Sequence, residues 1–221
     1  MAVGFFGKLP SRADFVGKGL PESFLTPFDT WLRAVLAAAR ADLGGDWAEI
    51  FLNSPVWRFT LTAGLAGPDA VAGVLVPSVD RSGREFPFLV ALCSPVALQP
   101  AALAAAAAGW LDRAGQAAVA AVRRGLDPAG MAPLMAALAM PPLPAATRMS
   151  ATAGGWRVEE AGRLGAALPQ LLDRMAAVER ASLWWSDGSD RVRPTTLMID
   201  GLPPPARFGA FIDGEWARRG W

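Results

Sequence analysis

Apolar residues along the first half of the chain recur with two periods, one typical of helices and the other of strands. The segment 3–7 (VGFFG) indicates a short strand, and a loop rich in proline and glycine follows it. Thr26 and Pro27 predict the start of a helix, as N-cap and first helical residue, and Gly44–Gly45 predict its end. Between them, apolar residues spaced three and four apart predict one buried face: Phe28, Trp31, Leu32, Val35, Leu36, Ala39 and Leu43.

Three strands are predicted next, and two of them have the character of buried central strands. In WRFTLT (57–62) apolar and polar residues alternate, which is typical of a half-buried strand. The segments 71–76 (VAGVLV) and 86–92 (FPFLVAL) are apolar on both faces, as expected in the middle of a sheet that is covered on each side. Since the connections between these strands are too short for crossover helices, the sheet should be mainly antiparallel.

The second half of the chain is predicted to supply further helices and a late pair of strands. Residues 101–124 indicate a long helix with one apolar side, and a shorter helix is expected at about 129–139. The proline-rich stretch at about 141–160 indicates a loop or linker. After it we expect a helix from Pro169, two strands within 182–199, and a final helix that presents Phe208, Phe211 and Ile212.

Together these elements predict an α/β fold of the α+β type, a three-layer α/β/α sandwich around a mainly antiparallel central sheet. Strands that are apolar on both faces need helices on both sides, which gives the three layers. We expect residues 1–221 to form a single domain, with 141–160 as a loop before a C-terminal helix, hairpin and helix. The late hairpin is too short to make a core of its own.

Composition counts against several kinds of function. The 21 basic and 20 acidic residues give a formal net charge of +1, whereas a dedicated nucleic-acid binder carries a basic stripe. The chain has no histidine, which removes the commonest general base and the usual catalytic triads. Cys93, the one cysteine, lies in an apolar run and is predicted to be a buried structural thiol.

The N-terminal segment and the apolar runs predict a cytoplasmic protein. The N-terminus has no charged region ahead of a long apolar stretch, unlike a secretory signal. The best apolar run, 101–111, is mostly alanine and too short to span a bilayer. We therefore expect no direct membrane insertion.

Candidate chemistry is concentrated in two polar loops. GFFGKLPS fails as a phosphate-binding loop, since Ala2 and Leu9 occupy positions that require glycine and Ser or Thr. Asp14 lies in PSRADF and Asp80 in PSVDRSGR, each beside arginines that favour ion pairs over catalysis. We therefore predict no catalytic residue, no metal ligand and no cofactor.

Nine tryptophans without a single tyrosine are an unusual aromatic composition. Trp184 and Trp185 are neighbours on a predicted strand, so their side chains should point to opposite faces. One is expected to pack inward, and the other to lie under a helix or on a contact surface. Trp216 and Trp221, near the C-terminus, either are exposed or fold back onto the domain.

Five blocks of the sequence resemble the TagF family (also called ImpM) of type VI secretion proteins. In chain order they are GFFGKLPSRADFV, the helix near Trp31, SPVWRF, GVLVPSVDRSGREFPF and SLWWSDGS. Agreement of several blocks in order and spacing across essentially the whole chain is more specific than any single motif. One difference is Ala13, where the family usually has glycine, so the backbone turn at this position can differ.

The resemblance implies a layered α/β/α fold and a non-enzymatic cytoplasmic regulator. Proteins of this family repress assembly of the type VI secretion system after translation by binding its forkhead-associated scaffold protein (Fha). They act alongside the threonine kinase and phosphatase of the system. The resemblance brings no catalytic residue with it.

Seven residues are candidates for contact with the partner. They lie in the two charged loops and on the late hairpin: Lys8, Arg12, Asp14, Asp80, Arg81, Arg84 and Trp185. Loops that present charge beside aromatic side chains often serve in recognition. The alternative is that the two loops bind each other and stabilise the edge of the sheet, and the sequence leaves both readings open.

Two other functions are compatible with the sequence. A layered fold of this kind also suits a longin- or roadblock-like module that binds a small GTPase. A carboxylate-based hydrolase would use Asp14 or Asp80, and it would need a concave pocket and a carboxylate with a raised pKa. The lack of histidine counts against the hydrolase.

Overall fold

The computed structural model describes residues 1–139, 141, 149–152, 155–158, 169 and 180–221. The strands are β1 (Ala2–Gly7), β2 (Val16–Lys18), β3 (Trp57–Leu61), β4 (Ala70–Val76), β5 (Phe88–Ser94), β6 (Met149–Thr152), β7 (Gly155–Val158), β8 (Ala181–Ser186) and β9 (Thr195–Asp200). The α-helices are α1 (Glu22–Leu43), α2 (Trp47–Leu52), α3 (Pro100–Arg123), α4 (Pro128–Ala136) and α5 (Ala210–Asp213).

Seven strands form one sheet in the order β2–β1–β5–β4–β3–β8–β9, and each neighbouring pair is antiparallel. All residues of β4 and β5 are buried, so the prediction of strands that are covered on both faces is confirmed. The late hairpin β8–β9 joins the same sheet through β3, with Phe59 opposite Trp184. The predicted mainly antiparallel sheet is therefore confirmed.

On one face of the sheet, a core rich in aromatic rings is enclosed by α1, α2 and residues 201–221, which follow β9 and which we name the C-terminal segment. α1 buries Phe28, Leu32 and Val35, as their spacing predicts. Phe59 of β3 stacks on Phe28 and on Trp184, with ring centroids 5.3 and 4.8 Å apart. Each such side chain stabilises the fold by about 2 kcal/mol relative to an exposed one.

The C-terminal segment folds back onto this aromatic core. α5 buries Phe211, whose carbonyl oxygen accepts a hydrogen bond of 2.9 Å from the indole N–H of Trp57. Trp216 and Trp221 pack against Phe211, with ring centroids 5.3 and 5.9 Å away. Both tryptophans are half-buried, which resolves the alternative between exposure and packing in favour of packing.

α3 and α4 cover the opposite face of the sheet, which confirms the three-layer arrangement. Trp110 and Leu111 of α3 are buried there, and buried alanines along the helix let it approach the strands closely. Trp185 packs on this side and Trp184 on the other, so their predicted opposition is confirmed. In the described part of the chain no helix, α3 included, has the length and apolarity needed to cross a bilayer.

β3 is covered on both faces, so the prediction of a half-buried strand is wrong. Thr60 is fully buried and donates its hydroxyl to the Pro100 carbonyl oxygen at 2.8 Å. The Arg58 side chain is only 17% exposed and forms ion pairs with Asp112 at 3.3 Å and Asp187 at 2.9 Å. Polar side chains that find such partners can be buried, and alternation alone does not reveal this.

α1 begins at Glu22, so the predicted start at Thr26 and Pro27 is wrong. The Phe24 N–H donates to the Pro21 carbonyl oxygen at 3.1 Å, and Pro27 lies inside the helix. The additional turn buries Phe24, and this burial offsets the backbone hydrogen bond that Pro27 cannot donate.

The stretch 141–160 is not irregular throughout, which corrects the prediction of a loop. β6 and β7 lie within it and pair antiparallel, with Met149 opposite Val158. The remainder of the stretch, apart from residue 141, lies outside the described residues. So does the helix predicted from Pro169, apart from Pro169 itself, which is helical.

Candidate protein-interaction site

Two loops meet at one end of the central sheet. Residues 8–15 follow β1, and residues 77–87 connect β4 to β5; we name them the 8–15 loop and the 77–87 loop. Gly7 is opposite Phe88 at the point where the first loop leaves the sheet and the second rejoins it. Gly7 has φ +135°, and a Cβ there would lie 2.2 Å from the Pro87 carbonyl oxygen, so glycine is what allows the two chains to approach this closely.

Asp80 lies buried between the two loops and binds both of them. Its carboxylate accepts hydrogen bonds from the Ser82 N–H at 2.8 Å and from the Arg84 N–H at 3.0 Å. It also binds the Arg84 Nε at 2.8 Å and the Lys8 ammonium at 3.1 Å. Lys8 is buried as well, so neither member of this ion pair is open to a partner.

The four donors keep Asp80 ionised. Burial alone would raise the pKa of Asp80, but the Arg84 N–H, the Lys8 ammonium, the Ser82 N–H and the Arg84 side chain together hold it well below its ordinary value. A general acid needs the opposite shift. Asp80 therefore serves here as an ion-paired anchor for the loops, as the neighbouring arginines predicted.

Further hydrogen bonds join the two loops along their length. The Ser78 hydroxyl donates to the Lys8 carbonyl oxygen at 2.8 Å, and the Arg81 N–H donates to the Arg12 carbonyl oxygen at 2.9 Å. The Arg84 guanidinium reaches across to the Ala13 carbonyl oxygen. The loops thus do bind each other, as one of the two alternatives predicted.

The other four charged candidates of the loops keep their charged ends at the surface. Arg84 lies 3.9 Å from Asp14, whose side chain is 98% exposed. Arg12 lies 3.7 Å from Asp127. Arg81 is exposed, and within the described residues its guanidinium has no charged partner. These exposed groups are available to another molecule even though the loop backbones are tied together.

Phe15 and Arg33 belong to the same surface, and sequence analysis missed both. Phe15 is 37% exposed and packs on Phe6 and Phe86, with ring centroids 5.3 and 4.8 Å away. The Arg33 guanidinium, from α1, lies 4.8 Å from the Phe15 ring centroid, and the Lys8 ammonium lies 5.2 Å from it. An aromatic residue directly after the charged PSRAD segment was the available signal for Phe15. No local pattern marks Arg33, because only the fold brings α1 to the loop.

Trp185 is separate from the two loops. It lies on β8, two strands away from β4, and packs half-buried on the α3 side of the sheet. Its strand neighbour across the ladder is Arg58, which binds Asp112 and Asp187. The structure therefore brings together the six loop candidates and leaves Trp185 in a different region.

The remaining candidates for chemistry are Cys93 and any group of side chains that could bind a metal. The prediction that Cys93 is a buried thiol is confirmed. Burial, reinforced by the negative charge of Asp69, raises its pKa to about 12, so it is a poor nucleophile near neutral pH. Within the described ranges no three or more Asp, Glu, Cys or His side chains are grouped so that they could hold a metal ion.

Comparison with known proteins agrees with this architecture. The family model described as the TagF N-terminal domain, type VI secretion system-associated, matches residues 4–138. Among solved structures, PA0076 from Pseudomonas aeruginosa PAO1 is similar, with 36% sequence identity and a TM-score of 0.82, covering 96% of this chain and 94% of that one. A search of curated proteins gave no significant match. The matched family model spans the loop pair and both helical layers, and the chain therefore belongs to the TagF family of type VI secretion system-associated proteins.

Proposed function

We propose that this type VI secretion-associated protein is a non-enzymatic cytoplasmic regulator that represses assembly of the secretion system after translation. It would do so by binding the Fha scaffold protein, alongside the threonine kinase and phosphatase of the system. The family match supports the connection with secretion. One observation above all supports regulation through binding to a partner. The 8–15 and 77–87 loops are joined by hydrogen bonds and a buried ion pair, and together they present arginines and an aromatic ring at the surface.

The loop pair has the properties of a recognition surface rather than of an active site. Its backbones are fixed by the buried Lys8–Asp80 ion pair, so the positions from which its exposed side chains project are set before a partner arrives. Preorganisation of this kind lowers the entropic cost of binding. Arginine and aromatic side chains are also the types that most often dominate binding energy at protein interfaces.

The competing proposal of a carboxylate hydrolase finds no support in the geometry of the two carboxylates. Asp80 is charged and enclosed by donors, which is the wrong protonation state for a general acid. The Asp14 side chain is almost fully exposed and lies beside Arg84, so no pocket excludes water around it.

Co-purification from cells that carry the complete secretion gene cluster tests the proposal. We expect a tagged chain to recover the Fha scaffold protein, and we expect the two purified proteins to form a complex when mixed. Deletion of the gene for this chain should raise effector export under conditions where the system is normally silent. A complex that cannot be detected with purified proteins, together with unchanged export in the deletion strain, would show that the proposal is wrong.

A further inference from the structure

Four exposed side chains around the loop pair come from three separate segments of the chain. Phe15 belongs to the 8–15 loop, Arg33 to α1, and Arg81 and Arg84 to the 77–87 loop. We name these four residues the loop surface. We infer that the loop surface is the docking site for an acidic, Asp- and Glu-rich segment of the protein partner. This inference rests on the proposed function and adds the site and the chemistry of its contact.

Phe15 provides a rigid apolar centre for such a site. Phe6 stacks on it with ring planes 9° apart, and Phe86 meets it edge-on at 80°. More than a third of the Phe15 side chain is nevertheless exposed, in a protein whose other phenylalanine rings near the loops are largely covered. A ring that is held by these neighbours and by Arg33, yet is still 37% exposed, can bury further surface on contact without losing conformational freedom.

The arginines around Phe15 have N–H donors to spare. Arg33 uses its Nε to bind Asp29 at 2.7 Å, and its terminal nitrogens have no other hydrogen-bond partner among the described residues. Arg84 uses its Nε and one terminal nitrogen for Asp80 and Ala13, and its second terminal nitrogen has no hydrogen-bond partner in the part of the chain that the structure describes. With both terminal nitrogens available, Arg33 can bind a carboxylate through two parallel hydrogen bonds, and Arg84 can donate from its remaining terminal nitrogen.

Substitutions of Arg81 and Asp14 should change the affinity for an acidic segment in opposite directions. Arg81 has no charged partner in the described part of the chain, so an acidic segment would supply one. Asp14 is exposed and only 3.9 Å from Arg84, so it is an anion that an incoming carboxylate would have to displace. An acidic partner should therefore bind less tightly when Arg81 is reversed and more tightly when Asp14 is neutralised.

Titration of the purified Fha scaffold protein into the full chain and its variants tests the inference. We expect Arg81→Glu to weaken binding by about tenfold and Asp14→Asn to strengthen it by about twofold to threefold, with the effect of Arg81→Glu shrinking at high salt. Phe15→Ala should weaken binding by about tenfold or more at every salt concentration. The matched control is Arg113→Glu, which makes the same charge change on the exposed side of α3 and should leave the affinity unchanged.

Arg81→Glu is the decisive variant because no described contact depends on its side chain, so its melting temperature should match that of the wild type. Equal affinity of the Arg81→Glu, Phe15→Ala and wild-type chains would overturn the inference while leaving the proposed function intact. Treatment of the scaffold protein with a phosphatase should not change binding. Loss of binding after that treatment would assign the recognised anion to phosphate and overturn the acidic-segment inference.

Failure of the wild-type chain to bind the scaffold protein would contradict the proposed function instead. The loop surface is then tested by comparing proteins recovered from cells with the Arg81→Glu and Arg113→Glu chains. Recovery of the same proteins in the same amounts by both variants would overturn the loop surface as a docking site. A protein lost with Arg81→Glu alone, and bound less tightly by that variant when purified, would support it.

Discussion

At the scale of single residues, Asp80 joins the 8–15 loop to the 77–87 loop. It accepts hydrogen bonds from both backbone and side-chain donors, and Lys8 is its buried counter-ion. A buried ion pair gives little net stability when formed, but the loss of one partner leaves the other charge buried and unpaired. The pair therefore matters mainly because it fixes the positions of Phe15 and Arg84, which lie beside it.

Replacement of Asp80 by asparagine should destabilise the protein by about 3 kcal/mol, because the Lys8 ammonium stays buried without a counter-ion. Chemical denaturation measures this directly. Asp187→Asn is a suitable control, since Asp187 pairs with Arg58 but its side chain is 84% exposed, and its loss should cost less than about 1 kcal/mol. Equal losses for the two variants would contradict the anchoring role of Asp80.

The difference in stability between the wild type and Asp80→Asn should depend on pH. The folded protein holds the pKa of Asp80 below its ordinary value, so the unfolded chain binds the proton more readily. The stabilising contribution of Asp80 is therefore fully present above about pH 4, the ordinary pKa of an aspartate, and is lost as the pH falls further. A difference that stays constant between pH 7 and pH 2.5 would show that Asp80 is not held in its ionised form by the fold.

At the scale of elements, the central sheet is shaped by the fit between β3 and β4. Gly73 of β4 lies opposite Phe59 of β3, and the Phe59 ring occupies the space that a side chain at Gly73 would need. This lets Phe59 stack between Phe28 of α1 and Trp184 of β8. One glycine thus makes room for the ring that joins the sheet to the α1 layer.

Gly73→Ala should therefore destabilise the fold by about 2 kcal/mol, because its Cβ would lie 2.6 Å from a Phe59 ring carbon and 3.1 Å from the Val90 carbonyl oxygen. Thermal unfolding with circular dichroism measures the change. Gly45→Ala should be close to neutral, since among the described residues no atom beyond those of Gly45 and its chain neighbours lies within 4 Å of the added methyl group. If Gly73→Ala melts at the wild-type temperature, the packing described for Phe59 is wrong.

The element order was predictable from the sequence wherever apolar spacing determined it. The runs at 71–76 and 86–92 were recognisable as central strands, because every one of their side chains needed cover. Thr60 was misjudged because its burial depends on an acceptor at Pro100, 40 residues away along the chain. The start of α1 was misjudged because a proline one turn inside a helix resembles a proline at its first position.

The candidate site was also predictable only in part, because some of its contacts join residues that are far apart along the chain. Charged residues clustered in two loops pointed to Lys8, Asp80 and Arg84, and these three do meet. Which of them would be buried was not predictable, because the depth of the loops depends on how β1 pairs with β5. Arg33 could not be found from sequence, since only the packing of α1 places it over Phe15.

At the scale of the whole molecule, the 8–15 and 77–87 loops lie at one end of the central sheet, and α1 places Arg33 beside them. The C-terminal segment closes the α1 layer, and Arg219 ties that segment to Asp42 of α1 and to Asp213. α1, which contributes Arg33 to the proposed contact, is thus tied to a segment that is distant along the chain. Such an arrangement suits a protein that acts by presenting a fixed surface to a partner.

Effector export from cells that overproduce the chain tests the central claim most directly. Overproduced wild-type protein and the Arg113→Glu control should both suppress export through the type VI secretion system. Arg81→Glu, produced to the same level, should suppress export less, because it binds the partner about tenfold less tightly. Export that is unaffected by the wild-type chain, or suppressed equally by Arg81→Glu, would contradict repression through the loop surface.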